Sequence, residues 1–287
     1  MKTIMLATDF SERSDRALRR AVLLARETGS RIALVHAVDD DRPRRIVDHE
    51  AAEARMLLDG LAETLERVDR VSCSTQIRLA DPFAAIANAV EDGAVDLLVI
   101  GPHRRQILRD AFVGTTAERT IRAVACPVLM VNGPPVGPYR NVLLTTDLSE
   151  DSLAALQRFE ALRLAAAASR SVLHVFDAPA LRLALSGTMP EEYREEYLNE
   201  QRAEATRNLS GFMAKVGASD VGQIVRFEEK TVGRVILTVA GELKSDLIVV
   251  STQGKGTVSR MFLGSVAQQV LRDSTSDVLV IPPVEPI

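Results

Sequence analysis

The sequence predicts an α/β protein of two tandem domains, each a doubly wound parallel sheet, and three observations carry that expectation. Residues 2–12 return as residues 140–150 at an offset of 138, which pairs Asp9 with Asp147 and His36 with His174. Further on the offset is 150, pairing 96–100 with 246–250, Gly114 with Gly264, and 128–131 with 278–281. A period this long is duplication of a whole domain, not a solenoid. Within each copy, short apolar runs alternate with segments of helical periodicity, the pattern of parallel strands joined by right-handed crossover helices. Between the copies lies Asn132-Gly133-Pro134-Pro135-Val136-Gly137-Pro138-Tyr139, whose prolines and glycines extend neither a strand nor a helix. The expected domains are 1–133 and 139–287.

Taken in order, the first copy reads as strand 3–8, helix 13–28, strand 31–38, helix 44–68, strand 71–79, helix 82–92, strand 96–101, helix 115–124 and strand 127–131. Helix 13–28 carries Ala17, Leu18, Val22, Leu24 and Ala25 at helical spacing, and Gly29 is its stop signal. Helix 44–68 is expected to bury Ala54, Leu57, Leu58, Leu61, Leu65 and Val68 on one face. The run 247–250 is too short for a helix and too continuous for a half-exposed strand, so it fits the centre of a parallel sheet. The second copy holds about twelve extra residues between its second and fourth strands. They fall around 179–209, where Ser186 to Pro190 interrupts the chain and the acid-rich 191–198 opens a solvated helix. A surface helix with a loop accounts for them; a lid or a partner surface is the alternative.

Composition narrows the function classes. With 35 Lys plus Arg against 39 Asp plus Glu, the net charge of -4 leaves no electrostatic footprint for nucleic acid or an acidic membrane. No apolar run reaches the length of a membrane span, and the start of the chain turns polar at Thr8-Asp9, too early for a signal peptide, so a cytosolic protein is expected. Cys73 and Cys126 belong to no Cys/His ligand cluster, and neither a disulfide nor a metal site is expected. His36 and His174 sit in apolar strands, as buried, hydrogen-bonded histidines do. No serine has a placed histidine partner, and the P-loop and Gly-x-Ser-x-Gly patterns are absent, so no catalytic residue is assigned.

In a Rossmann-like sheet of this kind the ligand crevice lies beyond the carboxyl ends of the strands, where strand order reverses. That rule alone selects Asp9, Ala37 and Gly101 in the first copy, and Asp147, Val175 and Ser251 in the second. The stretch 246–268 then reads as strand, glycine-bearing loop and helix start, with Ser265 placed to cap or open the helix. Free N–H groups at such an opening attract anions, and Gly254 and Gly264 let backbone approach a ligand.

On these residues the chain resembles the universal stress protein family over the whole of each copy. The resemblance is carried by Thr146-Asp147 after the first strand, Leu173-His174-Val175 in the second, and Ser251-x2-Gly254-x9-Gly264-Ser265 after the fourth. ATP-binding members of that family have Gly-x2-Gly-x9-Gly followed by Ser or Thr. The resemblance implies the adenine nucleotide alpha hydrolase-like fold and a bound ATP, or another adenine nucleotide, with Mg as an option. It places Asp147 at the ribose and adenine, Val175 against the base, and loop amides plus Ser265 on the phosphates, with Thr145, Gln253 and Val266 lining the same site. Ser251 stands where the family pattern has its first glycine, and it would be strained if a positive φ were needed there. The first copy departs further: its site of Asp9, Gly101, Gly114 and Thr115 is weaker, because Arg104 replaces the second glycine, Pro102 removes a donor and Ala37 replaces valine. Arg104, Arg105 and Arg109 would suit another anion there, or simply a solvated loop.

The resemblance also implies that the two domains pair as an intramolecular pseudo-dimer through 128–131 and 278–281, with a homodimer and an unknown protein partner as further options. Two other readings stand beside nucleotide binding: an interaction scaffold with both crevices closed, and a slow ATP hydrolase, which rests on fold analogy.

Overall fold

The computed structural model describes residues 1–102, 116–178, 191–218, 220–228, 230–252 and 263–283. The first half runs β1 (Thr3–Ala7), α1 (Glu12–Thr28), β2 (Arg31–Val38), α2 (Arg44–Thr64), a π-helical turn (Leu65–Asp69), β3 (Cys73–Leu79), α3 (Pro82–Asp92), β4 (Leu97–Ile100), α4 (Thr116–Ala123) and β5 (Val128–Met130). The second repeats it as β6 (Asn141–Thr146), α5 (Glu150–Leu162), β7 (Ser169–Phe176), α6 (Glu191–Val216), β8 (Val221–Phe227), α7 (Val232–Glu242), β9 (Leu247–Ser251), α8 (Ser265–Asp273) and β10 (Asp277–Ile281). The expected alternation of elements is present in both halves.

Local chemistry sets the boundaries. Ser11 caps α1 by accepting from the Ser14 N–H, and Gly29 ends the helix at φ +68°, a left-handed conformation that costs glycine little. Asp81 caps α3 just before Pro82, whose missing N–H would be unpaired there anyway. Asp96 Oδ2 accepts from the Lys2 and Thr3 N–H groups, and its counterpart Asp246 accepts from those of Arg140 and Asn141. Each carboxylate therefore fastens the start of its half's first strand to the strand beside it.

One expectation fails on α2. The helix buries Val47, Ala54 and Leu58, and Leu65 in the turn beyond it, but Leu57 is 54% and Val68 62% exposed. Residues seven and eleven apart return to nearly the same face of an α-helix, whereas Leu57 lies about 100° from Leu58 and so turns outward. Only a narrow stripe meets the sheet.

The ten strands form one sheet in the order β3-β2-β1-β4-β5-β10-β9-β6-β7-β8. All neighbours are parallel except β5 and β10, which are antiparallel with Leu129 opposite Leu279, Val128 opposite Val280 and Met130 opposite Val278. Leu129 and Leu279 occupy equivalent positions of the repeat, so a pseudo-two-fold axis passes between them. Alternate residues of each strand feed opposite faces. Leu129 and Leu279 join a core under α1, α2, α5 and α6, while Val128, Met130, Val278 and Val280 join the core under α3, α4, α7 and α8. Both cores thus run unbroken through the seam.

Polar contacts at the seam are asymmetric. Asp277 is fully buried and accepts from the Asn132 and Gly133 N–H groups, from the Tyr139 hydroxyl at 2.7 Å and from Arg20 Nε at 3.1 Å. Arg20 lies over the Tyr139 ring at 4.0 Å and donates to the Gly137 carbonyl. One helix of the first half, the linker and the last strand of the second half are therefore joined in a single knot. The position equivalent to Asp277 in the first half is Pro127, so the knot has no mate. Close to the axis, Gln268 donates to Glu118, its own equivalent, where two glutamates would repel.

Removing one partner of a buried pair leaves the other charge uncompensated. Arg20→Met or Asp277→Asn is expected to cost about 3–5 kcal/mol, and the double variant less than the sum of the two, read from urea denaturation midpoints. For Asp96, burial pushes the carboxyl up, but the Lys2 and Thr3 amides and the N-terminal ammonium together bring it below its ordinary value. A lowered folded-state pKa adds stability above the unfolded value of roughly 3.9, and that stability is lost as pH falls through the folded value. Asp96→Asn should therefore be less stable than the parent at pH 7, with the gap closing towards pH 3, measured by chemical denaturation at both.

Candidate functional site

Strand order reverses between β1 and β4 in the first half and between β6 and β9 in the second, and a crevice opens at the carboxyl ends of the strands at each point. Because β5 and β10 are antiparallel, the two crevices open at opposite ends of the sheet.

The second crevice, about 300 Å³, is lined by β6, β7 and β9 and by the starts of α7 and α8. On one side is the turn after β6. Thr146 Oγ1 accepts from the Leu148 N–H at 2.9 Å and shares a hydrogen bond with Ser152 Oγ. Asp147 Oδ1 accepts from the Ser149 N–H at 3.0 Å and its hydroxyl at 2.6 Å, and Ser149 in turn caps α5. This geometry holds Leu148 at φ +64°, a left-handed conformation that costs a non-glycine residue energy and that the flanking hydrogen bonds maintain. His174 lies behind the turn with Nδ1 3.0 Å from the Thr146 carbonyl. A carbonyl only accepts, so Nδ1 carries the proton of that bond, and His36 makes the same bond to Thr8 at 2.8 Å. His174 is the buried, hydrogen-bonded histidine expected from the sequence, whereas His36 makes its hydrogen bond but is only partly buried.

On the other side α8 begins. Gly264 occupies the cap position at φ -59° and brings no side-chain cap, so among the described residues the opening N–H groups of this crevice-lining helix have no side-chain cap. Ser265 opens this helix and does not cap it. The Gly264 N–H donates to the Thr252 carbonyl at 2.8 Å, and a Cβ on Gly264 would sit 3.3 Å from that same oxygen. A side chain here would make a tight contact with that carbonyl, and no positive φ calls for glycine.

The structure brings seven of the residues selected from the sequence to this one crevice: Thr145, Asp147, Val175, Ser251, Gly264, Ser265 and Val266. Gln253 and Gly254 lie outside the described residues. Thr145 directs its hydroxyl to the Val249 carbonyl and so acts within the sheet. Ser251 is the last residue of β9 and has no positive φ, so the strain considered for it does not arise. Val232 and Ile236 of α7 complete the apolar wall. They carry no motif, and in the sequence they read as ordinary helix-face residues of the core.

The first crevice, about 770 Å³, contains Asp9, Ala37 and Gly101, while Gly114, Thr115 and the three arginines of that loop lie outside the described residues. Its turn repeats the other: Phe10 stands at φ +57° and Ser11 donates to Asp9 Oδ1. Burial pushes the Asp9 carboxyl up, but the Ser11 hydrogen bonds, Ser14 and the Arg13 guanidinium together hold it below its usual value. A Cβ on Gly101 would come within 3.0 Å of the Arg13 backbone, so this glycine serves contact between β4 and α1. Neither cysteine is activated, because burial pushes the Cys73 and Cys126 thiols up to about 11.

Comparison with known proteins matches this architecture. The model of the universal stress protein family fits residues 1–132 and again 138–282. Universal stress protein E of Escherichia coli strain K12 is 25% identical over 208 residues, covering 70% of this chain and 65% of that protein's own length. Universal stress protein MJ0577 of Methanocaldococcus jannaschii is 28% identical over 156 residues, 50% of this chain and 94% of that one. A crystal structure of a universal stress protein from Archaeoglobus fulgidus superimposes with a TM-score of 0.73 at 20% identity, covering 98% of both chains, which bears on the fold alone. With its fold repeated, and the family model matched once in each half, the chain belongs to the universal stress protein family as a tandem, two-domain member.

Proposed function

We propose that this protein is a cytosolic regulatory module that binds an adenine nucleotide, ATP in the first instance, chiefly in its second domain, with domains 1–133 and 139–287. The observation that carries this reading is the convergence on one crevice of a fixed carboxylate, an apolar slot and a helix start without a side-chain cap. These groups suit the parts of a nucleotide. The N–H groups opening α8 and that helix's dipole favour phosphates, and Mg would offset part of the phosphate charge when bound. Val175, Val232 and Ile236 offer aliphatic surface to a flat base. Asp147, anchored through Oδ1 by Ser149, can accept from ribose hydroxyls and would repel phosphates, which assigns it the sugar end.

Binding alone follows from this arrangement, since no side chain is placed to activate a water or to serve as nucleophile among the described residues. Bound nucleotide would favour one arrangement of the helix start and strand ends, and a protein partner would read the shifted population. None of the described helices is long and apolar enough to cross a membrane.

Isothermal titration of ATP into ligand-free protein is expected to show saturable binding. No heat at millimolar ATP, with the fold intact by circular dichroism, would sink the proposal. Gly264→Val should weaken binding by tenfold or more, about 1.4 kcal/mol at the least, and Gly114→Val far less. Mass spectrometry of ligand released from freshly purified, denatured protein should identify an adenine nucleotide.

A further inference from the structure

Far from the seam the sheet ends on β3 and β8, and a third space, of about 760 Å³, lies at β8. Five consecutive residues of that strand, 223–227, line it. Successive side chains of a strand point to opposite faces, so a space that meets all five runs along the strand's open edge and not over one face. The hydrogen-bond pattern shows what that edge offers. The Glu228 N–H donates to the Phe176 carbonyl at 2.9 Å, and β7 and β8 are parallel with Phe176 beside Phe227. The even-numbered residues of β8 therefore pair inward with β7, and the N–H and C=O groups of Gln223, Val225 and Phe227 face outward. Of these, the Val225 carbonyl accepts only from the exposed Arg226 guanidinium next to it, at 3.4 Å. Outward N–H groups on an edge strand are a template for a further strand.

Two helices wall this slot. On the face of Gln223, Val225 and Phe227 stands α6, whose Ser210 donates to the Gln223 side chain and whose Leu198 and Arg202 line the space. On the face of Ile224 and Arg226 stands α7, where Val235 and Val239 line it and Glu242 pairs with Arg226 at 3.3 Å. That pair recurs in the first half as Arg78 with Asp92 at 2.8 Å, so it belongs to the frame both halves share. The remaining charges are positive. Arg202 and Lys230 line the slot, are exposed and have no acidic partner among the described residues. Lys230 lies in the turn 228–231, which is longer than its counterpart 80–81 in the first half. One wall is thus basic and the other mainly aliphatic, on a chain whose net charge is -4.

We propose that the β8 edge is a docking site for an extended, acidic peptide segment of a partner protein, which adds to the sheet as a further strand. Main-chain hydrogen bonds to Gln223, Val225 and Phe227 supply the hold, and the walls supply the selection. A bound strand turns alternate side chains to α6 and to α7. Carboxylates suit the side that faces Arg202, aliphatic residues suit the side that faces Val235 and Val239, and Lys230 meets a further acid at the end of the slot. A second copy of this chain fits worse, because two β8 edges brought together would set Arg202, Arg226 and Lys230 against their own kind. The slot shares no lining residue with either crevice and serves this role whether or not a nucleotide binds.

The test uses the full chain and a fluorescein-labelled peptide of roughly eight residues, alternating glutamate with valine, read by fluorescence anisotropy. Saturable binding is expected, and a peptide of the same length alternating lysine with valine should not bind. Arg202→Glu combined with Lys230→Glu, both at exposed positions, should weaken the acidic peptide about tenfold or more, with the far-UV circular dichroism unchanged. Backbone N-methylation separates strand pairing from charge alone, since only alternate N–H groups of the peptide face β8. Methylating either all glutamate or all valine nitrogens should abolish binding in one case and leave it near the parent in the other. No binding of the acidic peptide at millimolar concentration, equal binding of the lysine peptide, or equal effects of the two methylated sets would overturn the proposal. A dimer in sedimentation velocity that excess peptide dissociates would give the edge to a second copy and overturn it as well.

Discussion

The antiparallel pairing of β5 with β10 is the constraint on which the rest of the molecule depends. A parallel sheet ends on strands with unpaired N–H and C=O groups, and a domain of this kind alone would expose β5 or β10 as such an edge. Joining the two edges removes both and carries the two cores across the seam. It also fixes where the crevices lie. Strands antiparallel at the seam point their carboxyl ends in opposite directions, so the two switch points cannot form one continuous site.

Two identical halves would pair symmetrically; this chain does not. The Arg20–Asp277–Tyr139 knot occurs on one side of the axis, and the axis pair is Glu118 with Gln268 in place of two like charges. On the other side Arg158, the equivalent of Arg20, reaches across the seam to the Ala125 carbonyl. Duplication has thus allowed each side of the interface to take different residues while the backbone frame stays the same. The crevices show the same division of labour. The turn that holds Asp9 and Asp147 is built alike in both halves, with a left-handed residue following the aspartate, whereas wall and mouth residues differ in size, polarity and charge.

Much of this was legible in residue order. The repeat, the strand and helix alternation and the linker follow from periodicity and from proline and glycine, which act locally. The site was legible as far as it is built from strand ends and a helix start, because the switch-point rule selects those positions by topology alone. Val232 and Ile236 were not legible, since an apolar residue facing a crevice and one facing the core obey the same helical period. Leu57 and Val68 show the converse, for apolar character on a helix does not state how wide a stripe the sheet will cover. Thr120 is the sharpest case: within the sequence it is one threonine among many, and only packing shows that its hydroxyl is buried without a partner.

The sequence by itself determined the fold class, the duplication and which positions border each crevice, because these depend on hydrogen-bond period, chain-breaking residues and strand order. Tertiary structure decided how deep and how polar each crevice is, which glycines serve packing and which the helix start, and which charges are paired across the seam. Those properties depend on distances between residues far apart in the chain, as between Arg20 and Asp277 or Gly264 and Thr252, and no local period encodes such distances.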